Sequence, residues 1–122
     1  MSKFTMRSVA TGVKFDLHSA NGEVIATSEV YTTEAACRRG MESVRRCAAA
    51  GKLLDTTQMP KKIPTNPRFE LFQDKRGAYR FRLRARNGEV IAHSEPYSSK
   101  AACLAGIESV ILNAPGAEID GN

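Results

Sequence analysis

Four arginines recur at every second position of the stretch "YRFRLRAR": Arg80, Arg82, Arg84 and Arg86. Alternate side chains of a β-strand share one face about 6.8 Å apart, a separation on the scale of neighbouring phosphates in an extended strand. Guanidinium groups hold phosphates by charge and by bidentate hydrogen bonds. This arginine ladder predicts a binding face for an anionic partner, either nucleic acid or an acidic protein. The alternative is that cross-strand carboxylates neutralise much of the ladder, namely Glu70, Glu89 and Glu95.

Histidine and cysteine offer no comparable pattern. His18 and His93 have no cluster of further Cys, His, Asp or Glu at ligand spacing, so no metal or other cofactor is expected. Cys37 and Cys103 fall on apolar helix stripes. A nucleophilic thiol requires a base beside it, and the sequence places no base beside either of these thiols. We therefore expect a non-catalytic protein. A small hydrolase or redox enzyme with an unrecognised site is the alternative.

Two similar loops, "SEVY" (28–31) and "SEPY" (94–97), are the remaining polar candidates. Polar residues just before a helix are able to bind an anion at the helix N-terminus. The structural interpretation is that each Ser satisfies backbone groups and each Tyr packs the corner, and we favour it.

These residues belong to a tandem duplication. A shift of 66 residues aligns 21–48 with 87–114, and 17 of those 28 positions are identical. Each copy has the pattern of three strands followed by a helix. Short apolar segments at 52–56 and 117–121 predict a further strand after each helix. "QMPKKIPTNP", between the copies, is typical of a stiff, extended linker.

The ladder lies on the second strand of copy two, which alternates apolar and basic residues from Tyr79 to Arg86. Asn87-Gly88 predicts a two-residue type I′ hairpin to the third strand, and Asn21-Gly22 predicts its counterpart in copy one. That register places four residues opposite the ladder, from Arg86 to Arg80 in turn: Glu89, Ile91, His93 and Glu95. The opposite face is apolar and is expected to receive the helices.

The helices are marked by hydroxyl residues at their start, Thr32 or Thr33 in copy one and Ser98 or Ser99 in copy two. Apolar residues then recur at helical spacing, at Cys37, Met41, Val44 and Ala48 and at the equivalent positions of copy two. Gly40 and Gly106 lie beside these stripes, which predicts a close approach of each helix to the sheet.

Composition is consistent with a folded protein: 122 residues, 42% hydrophobic and 25% charged, with a net charge of +5. No apolar run approaches the roughly 18–20 residues that span a bilayer, and the first residues lack the apolar centre of a secretory signal. Three cysteines without a CxxC pattern are typical of reduced thiols, so we expect a cytoplasmic protein with no membrane partner. The predicted divisions are 1–58, a linker at 59–67, and 68–122, and we expect a monomer whose two repeats resemble a dimer.

The stretch "YRFRLRARNGEVIAHSEPYSSKAACLAGIESV" resembles the YegP-like family of small bacterial proteins, a domain of unknown function. Copy two carries the pattern from Gly77 to Val110, with one inserted residue, whereas copy one carries it from Asn21 to Val44 and has Glu34 in place of a Lys. The resemblance implies β-β-β-α-β units that share one antiparallel sheet, exchange their last strands and place both helices on one face. It implies no activity, cofactor or catalytic residue.

Together the residues and the resemblance predict one α+β unit with pseudo-twofold symmetry, eight strands and two helices. The predicted function is a binding module whose basic sheet face meets an anionic partner.

Overall fold

The computed structural model describes residues 1–60 and 62–119, so that Lys61 of the predicted linker and the end of the predicted strand at 117–121 lie outside the described residues. Ten elements follow one another: β1 (Lys3–Val9), β2 (Gly12–His18), β3 (Val24–Thr27), α1 (Glu34–Ala49), β4 (Leu53–Asp55), β5 (Arg68–Gln73), β6 (Tyr79–Arg84), β7 (Val90–His93), α2 (Lys100–Asn113) and β8 (Glu118–Ile119). Among these residues no helix is long and apolar enough to cross a membrane.

All eight strands form one sheet in the order β4-β5-β6-β7-β3-β2-β1-β8. The short strands are exchanged as predicted, because β4 of the first repeat pairs with β5 and β8 of the second repeat pairs with β1. Both of these pairings are parallel, so the sheet is mixed: the six longer strands pair antiparallel as predicted, and the two short strands depart from that prediction. Hairpins enforce antiparallel pairing, whereas β4 reaches β5 through the long connection 56–67, which has room to return the chain to the same end.

A pseudo-twofold axis passes between β3 and β7, where Thr27 pairs with His93, the residue at the equivalent position of the other repeat. Both helices cover one face: α1 packs on β2, β5, β6 and β7, and α2 packs on β3, β5 and β6. The core between the layers contains four fully buried phenylalanines, Phe4, Phe15, Phe69 and Phe81. The other face of the sheet carries no helix, and we call it the open face.

A β-bulge in each repeat changes the predicted register. Arg82 lies opposite His93 as predicted, but Arg84 lies opposite Val90 because the register shifts beyond Leu83. Ile91 is therefore an extra residue in β7, and it is buried in the core. Strict alternation would expose this isoleucine on the open face, and the bulge removes its apolar surface from water. Ile25 occupies the same position in the first repeat.

The predicted type I′ hairpins are also wrong. Among the described residues none but glycine has a positive φ, so Asn21 and Asn87 do not adopt the conformation that a type I′ turn needs at its first position. Gly88 N–H donates to the Ala85 carbonyl at 2.9 Å, and Gly88 has φ 86°, so the connection is a three-residue loop that ends in a left-handed glycine. Arg86 lies in this loop and not in the strand.

The helix starts agree with the sequence patterns. Thr33 and Ser99 are the N-caps, and their hydroxyls accept from the N–H of Ala36 and Ala102, each at 3.1 Å. The close approach at Gly40 involves a neighbouring tyrosine as well as the sheet. A Cβ there would overlap the ring and hydroxyl of Tyr31 and lie 3.1 Å from Phe15, and Gly106 has the same relation to Tyr97 and Phe81.

Candidate functional site

Three ladder arginines, Arg80, Arg82 and Arg84, lie on the open face of β6, because the alternating Phe81 and Leu83 are fully buried on the other face. The fourth, Arg86, leaves this face with the hairpin loop and lines a cleft beside α1. The predicted set of four is therefore divided between two sides of the sheet.

A single carboxylate organises the open face of the second repeat. Glu70 Oε1 lies 2.6 Å from Arg82 Nε and 2.8 Å from Arg84 Nε, and its Oε2 lies 2.8 Å from Arg68 Nη2. The Glu70 side chain is only 4% exposed, while the three arginine side chains are between 19% and 33% exposed. Arg84 also donates from Nη1 to the Gly88 carbonyl at 2.7 Å.

The charge of this cluster follows from the titration of its carboxylate. Burial would raise the pKa of Glu70, but the contacts with Arg82, Arg84 and Arg68 outweigh burial and hold the pKa at about 2. Glu70 is therefore ionised at neutral pH, and three guanidinium groups share one negative charge. The cluster keeps an excess of two positive charges, and its guanidinium groups are held in place by the shared acceptor.

The predicted neutralisation is thus only partial. Glu70 is the cross-strand partner that the sequence suggested, whereas Glu89 and Glu95 form no ion pair with the described residues. Arg68 was not part of the predicted ladder. Its position two residues before Glu70 on the same strand was the available signal, because alternate residues share a face.

A shallow pocket of about 270 Å³ adjoins the cluster, with Arg80, Arg82, Phe72 and His93 in its lining. Arg80 lies 3.8 Å from Asp74, its nearest carboxylate, and donates to the Ser94 carbonyl at 3.3 Å. The guanidinium carbon of Arg82 lies 4.5 Å from the centre of the Phe72 ring. Phe72, the one Phe, Tyr or Trp side chain among the described lining residues, is therefore already covered by a cation.

His93 faces the same pocket, with Nε2 4.0 Å from Glu29 Oε1. An imidazole beside a carboxylate is a known arrangement for a general base. The described residues that line the pocket include no Ser, Thr, Cys or Lys to act as a nucleophile.

The open face of the first repeat has its charges arranged in the opposite sense. Asp16, equivalent to Arg82, accepts from Arg7 Nε at 2.8 Å, and Thr5 Oγ1 lies 2.9 Å from His18 Nε2. Burial raises the pKa of Asp16, but the hydrogen bond and charge of Arg7 keep it below its usual value. One acid meets one base in this pair, so the pair carries no net charge, unlike the cluster in which three arginines share Glu70.

The thiols predicted to belong to the core are buried there. Cys37 and Cys103 are fully buried, and burial raises the pKa of both, that of Cys103 to about 11. Within 1–60 and 62–119, no three His, Cys, Asp or Glu residues lie close enough together to hold a metal ion.

The repeated loops have the structural role that we favoured. Ser28 Oγ accepts from the backbone N–H of Phe15 at 2.9 Å, and Ser94 Oγ accepts from Phe81 at the same distance. Tyr31 stacks on Phe15, with 6.2 Å between ring centres. These side chains complete the backbone hydrogen bonds and the core at the point where the chain leaves the sheet.

The repeats match the model of a protein family described as a domain of unknown function, DUF1508, at residues 9–55 and 74–120. The chain belongs to this family. A UPF0339 protein of Bordetella pertussis is 36% identical over 93% of this chain and 89% of the relative. A UPF0339 protein of Treponema denticola is 60% identical over 52 residues, which make up 90% of that relative but 43% of this chain. That relative is therefore little longer than one repeat of this chain.

Two solution structures share the DUF1508 fold over almost the whole chain. The protein yegP of E. coli has a TM-score of 0.79 and 27% identity, and the match covers 98% of this chain and 90% of that chain. The UPF0339 protein SO3888 of Shewanella oneidensis has a TM-score of 0.78 and 31% identity over 98% and 89%. These matches confirm the resemblance to the YegP-like family and the tandem α+β fold. None of these names gives an activity or a ligand.

Proposed function

We propose that this DUF1508 protein is a non-catalytic module that binds an anionic partner on the open face of its second repeat. The observation that carries the proposal is the sharing of Glu70 by Arg68, Arg82 and Arg84, which leaves two positive charges in excess on partly exposed guanidinium groups. Ordered arginines lose less conformational freedom when they bind than free surface side chains do.

The proposed partner is recognised by its row of negative groups. Phe72 lies beneath the Arg82 guanidinium, so the pocket offers no free phenyl ring on which a nucleic-acid base would stack, and its other ring, the imidazole of His93, lies beside Glu29. Contacts to successive phosphates or carboxylates need only the alternate spacing of Arg80, Arg82 and Arg84. We therefore expect binding that depends strongly on salt and little on base sequence.

The test compares two variants at equivalent positions of the two repeats, Arg80→Gln and Lys14→Gln. Each removes one positive charge from the open face, but only Arg80 lines the pocket beside the arginine cluster. Binding of a fluorescein-labelled 20-nucleotide single strand is measured by anisotropy at several salt concentrations, with poly-glutamate as a competitor. The slope of log K against log salt is negative, and we expect Arg80→Gln to make it shallower by about 0.7, which corresponds to the loss of one phosphate contact. We expect Lys14→Gln to leave the slope unchanged.

Equal decreases in the steepness of the slope in the two variants would show that only the net charge of the protein matters. The absence of binding at low salt would refute the proposal. If poly-glutamate competes when its carboxylates are about as concentrated as the phosphates of the oligonucleotide, charge alone is the recognised property. Failure to compete would favour a phosphate backbone.

A small hydrolase is the second candidate, and it rests on the pair His93 and Glu29. The described lining residues supply no Ser, Thr, Cys or Lys nucleophile, so in this candidate the pair would activate water. Hydrolysis of p-nitrophenyl acetate or p-nitrophenyl phosphate that disappears in His93→Gln would support this candidate over the binding module.

A further inference from the structure

Two clefts on the helix side of the sheet are related by the pseudo-twofold axis. The first, which we call the α1 cleft, has a volume of about 490 Å³ and lies between the last turns of α1 and the β6–β7 hairpin. The second, the α2 cleft, has about 470 Å³ and lies between α2 and the β2–β3 hairpin. Each cleft is therefore formed by the helix of one repeat and the hairpin of the other.

The two clefts share their shape but differ in charge. Arg46 and Arg86 line the α1 cleft, and the equivalent residues of the α2 cleft are Leu112 and Ala20. Among the described residues no carboxylate lines the α1 cleft, whereas Glu23 lines the α2 cleft. Duplication has thus produced one basic cleft and one cleft with the opposite sign.

The arginines of the α1 cleft differ from those of the open face because neither Arg46 nor Arg86 forms an ion pair with a described residue. The cleft also contains two smaller polar groups. Asn87 uses its Oδ1 to accept from Glu89 N–H at 3.0 Å, which leaves its amide Nδ2 as a donor, and Ser43 Oγ lies 3.7 Å from Cys47 Sγ. Two cations and two neutral donors surround a space of the size of a small-molecule site.

From this arrangement we infer that the α1 cleft binds a small phosphomonoester. A phosphomonoester carries nearly two negative charges at pH 7 and three acceptor oxygens, which match two guanidinium groups with hydroxyl and amide donors nearby. A carboxylate would leave one arginine uncompensated. The C-terminal dipole of α1 opposes an anion, but its effect is weaker than that of two charge-assisted contacts. This site lies on the opposite side of the sheet from the proposed partner surface and does not depend on it.

The test is a titration of the ¹⁵N-labelled full chain with inorganic phosphate, at constant pH and with chloride adjusted to constant ionic strength. The α2 cleft serves as an internal control in the same spectra. We expect saturable amide shifts at 43–47 and 85–88, and none at 109–113 and 19–22. In Arg46→Gln/Arg86→Gln the apparent affinity is expected to fall at least tenfold. In Arg39→Gln/Arg76→Gln, which removes two charges outside the cleft, it is expected to stay within twofold.

A second measurement uses Cys47, which lines the cleft and is 6% exposed, whereas Cys37 and Cys103 are fully buried. Phosphate is expected to slow the reaction of the Cys47 thiol with 4,4′-dithiodipyridine severalfold compared with chloride, and to have no such effect in Arg46→Gln/Arg86→Gln. The inference is overturned if phosphate shifts both clefts alike, if the shifts do not saturate, or if the double variant binds phosphate as well as the natural chain does.

Discussion

Replacement of Glu70 by Gln tests the arginine cluster directly. The variant keeps the shape of the side chain but removes the negative charge that Arg68, Arg82 and Arg84 share. The structure holds the pKa of Glu70 at about 2, compared with 4.5 for an ordinary glutamate. At about 1.4 kcal/mol for each pKa unit, the ionised carboxylate contributes about 3 kcal/mol to the free energy of unfolding at pH 7.

The sign of the pH dependence follows from the lowered pKa. The contribution is fully present above the unfolded-state pKa near 4.5, and it is lost as the pH falls towards 2, because the unfolded chain then binds a proton that the folded protein does not. We therefore expect the difference between the natural chain and Glu70→Gln to shrink from about 3 kcal/mol at pH 7 to about 1 kcal/mol at pH 3.

Urea denaturation followed by circular dichroism at pH 7, 5 and 3 measures this difference, and the titrations of other carboxylates cancel in the comparison. Asp16→Asn is the matched control from the first repeat, where the carboxylate has one partner, Arg7, whose side chain is 51% exposed. We expect it to lose less stability than Glu70→Gln. The reasoning would be refuted by a Glu70→Gln loss below about 1 kcal/mol at pH 7, or by a loss that does not change between pH 7 and pH 3. Glu70→Gln is also expected to strengthen oligonucleotide binding, because it adds a net positive charge to the open face.

Three further predictions concern the repeats. Gly40→Ala is expected to cost about 1–3 kcal/mol in urea denaturation, because the new methyl group overlaps Tyr31, and Tyr31→Leu in the same chain is expected to recover part of that loss. A Gly40→Ala protein as stable as the natural chain would contradict this packing. Ser94→Ala is expected to cost about 1–3 kcal/mol because it leaves the buried Phe81 N–H without an acceptor, and a loss below 0.5 kcal/mol, on the order of experimental error, would argue against it. Residues 66–122 alone are expected to dimerise in sedimentation equilibrium because β8 pairs with the other repeat, and a folded monomer would count against strand exchange.

Several features of the fold could be predicted from local patterns. The repeat, the three hairpin strands and the helix of each copy were evident because alternation, helical spacing and N-cap residues act over a few neighbouring residues. The buried positions of Cys37 and Cys103 followed from the helix stripe, and the roles of Ser28 and Ser94 followed from their place before a helix. Strand exchange came from the family resemblance, since no local pattern indicates which edge a short strand will join.

The remaining features depend on competition between distant parts of the chain. The hairpin register that Asn87-Gly88 suggested would have left Ile91 on the open face, and burial of that side chain prevailed by means of a bulge. The longer hairpin loop then carried Arg86 to the helix side of the sheet, which divided the ladder and created the basic cleft with Arg46.

The sequence by itself determined that the chain is a duplicated α+β unit with a row of arginines on one strand. Only the tertiary structure decided what those arginines do, because the energy of a charge depends on its neighbours in space and on its exposure to water. Arg68 and Glu70 lie on a different strand from Arg82 and Arg84, and their contact arises when β5 pairs with β6. That pairing makes Glu70 a shared, buried acceptor and leaves the surplus of positive charge on the open face.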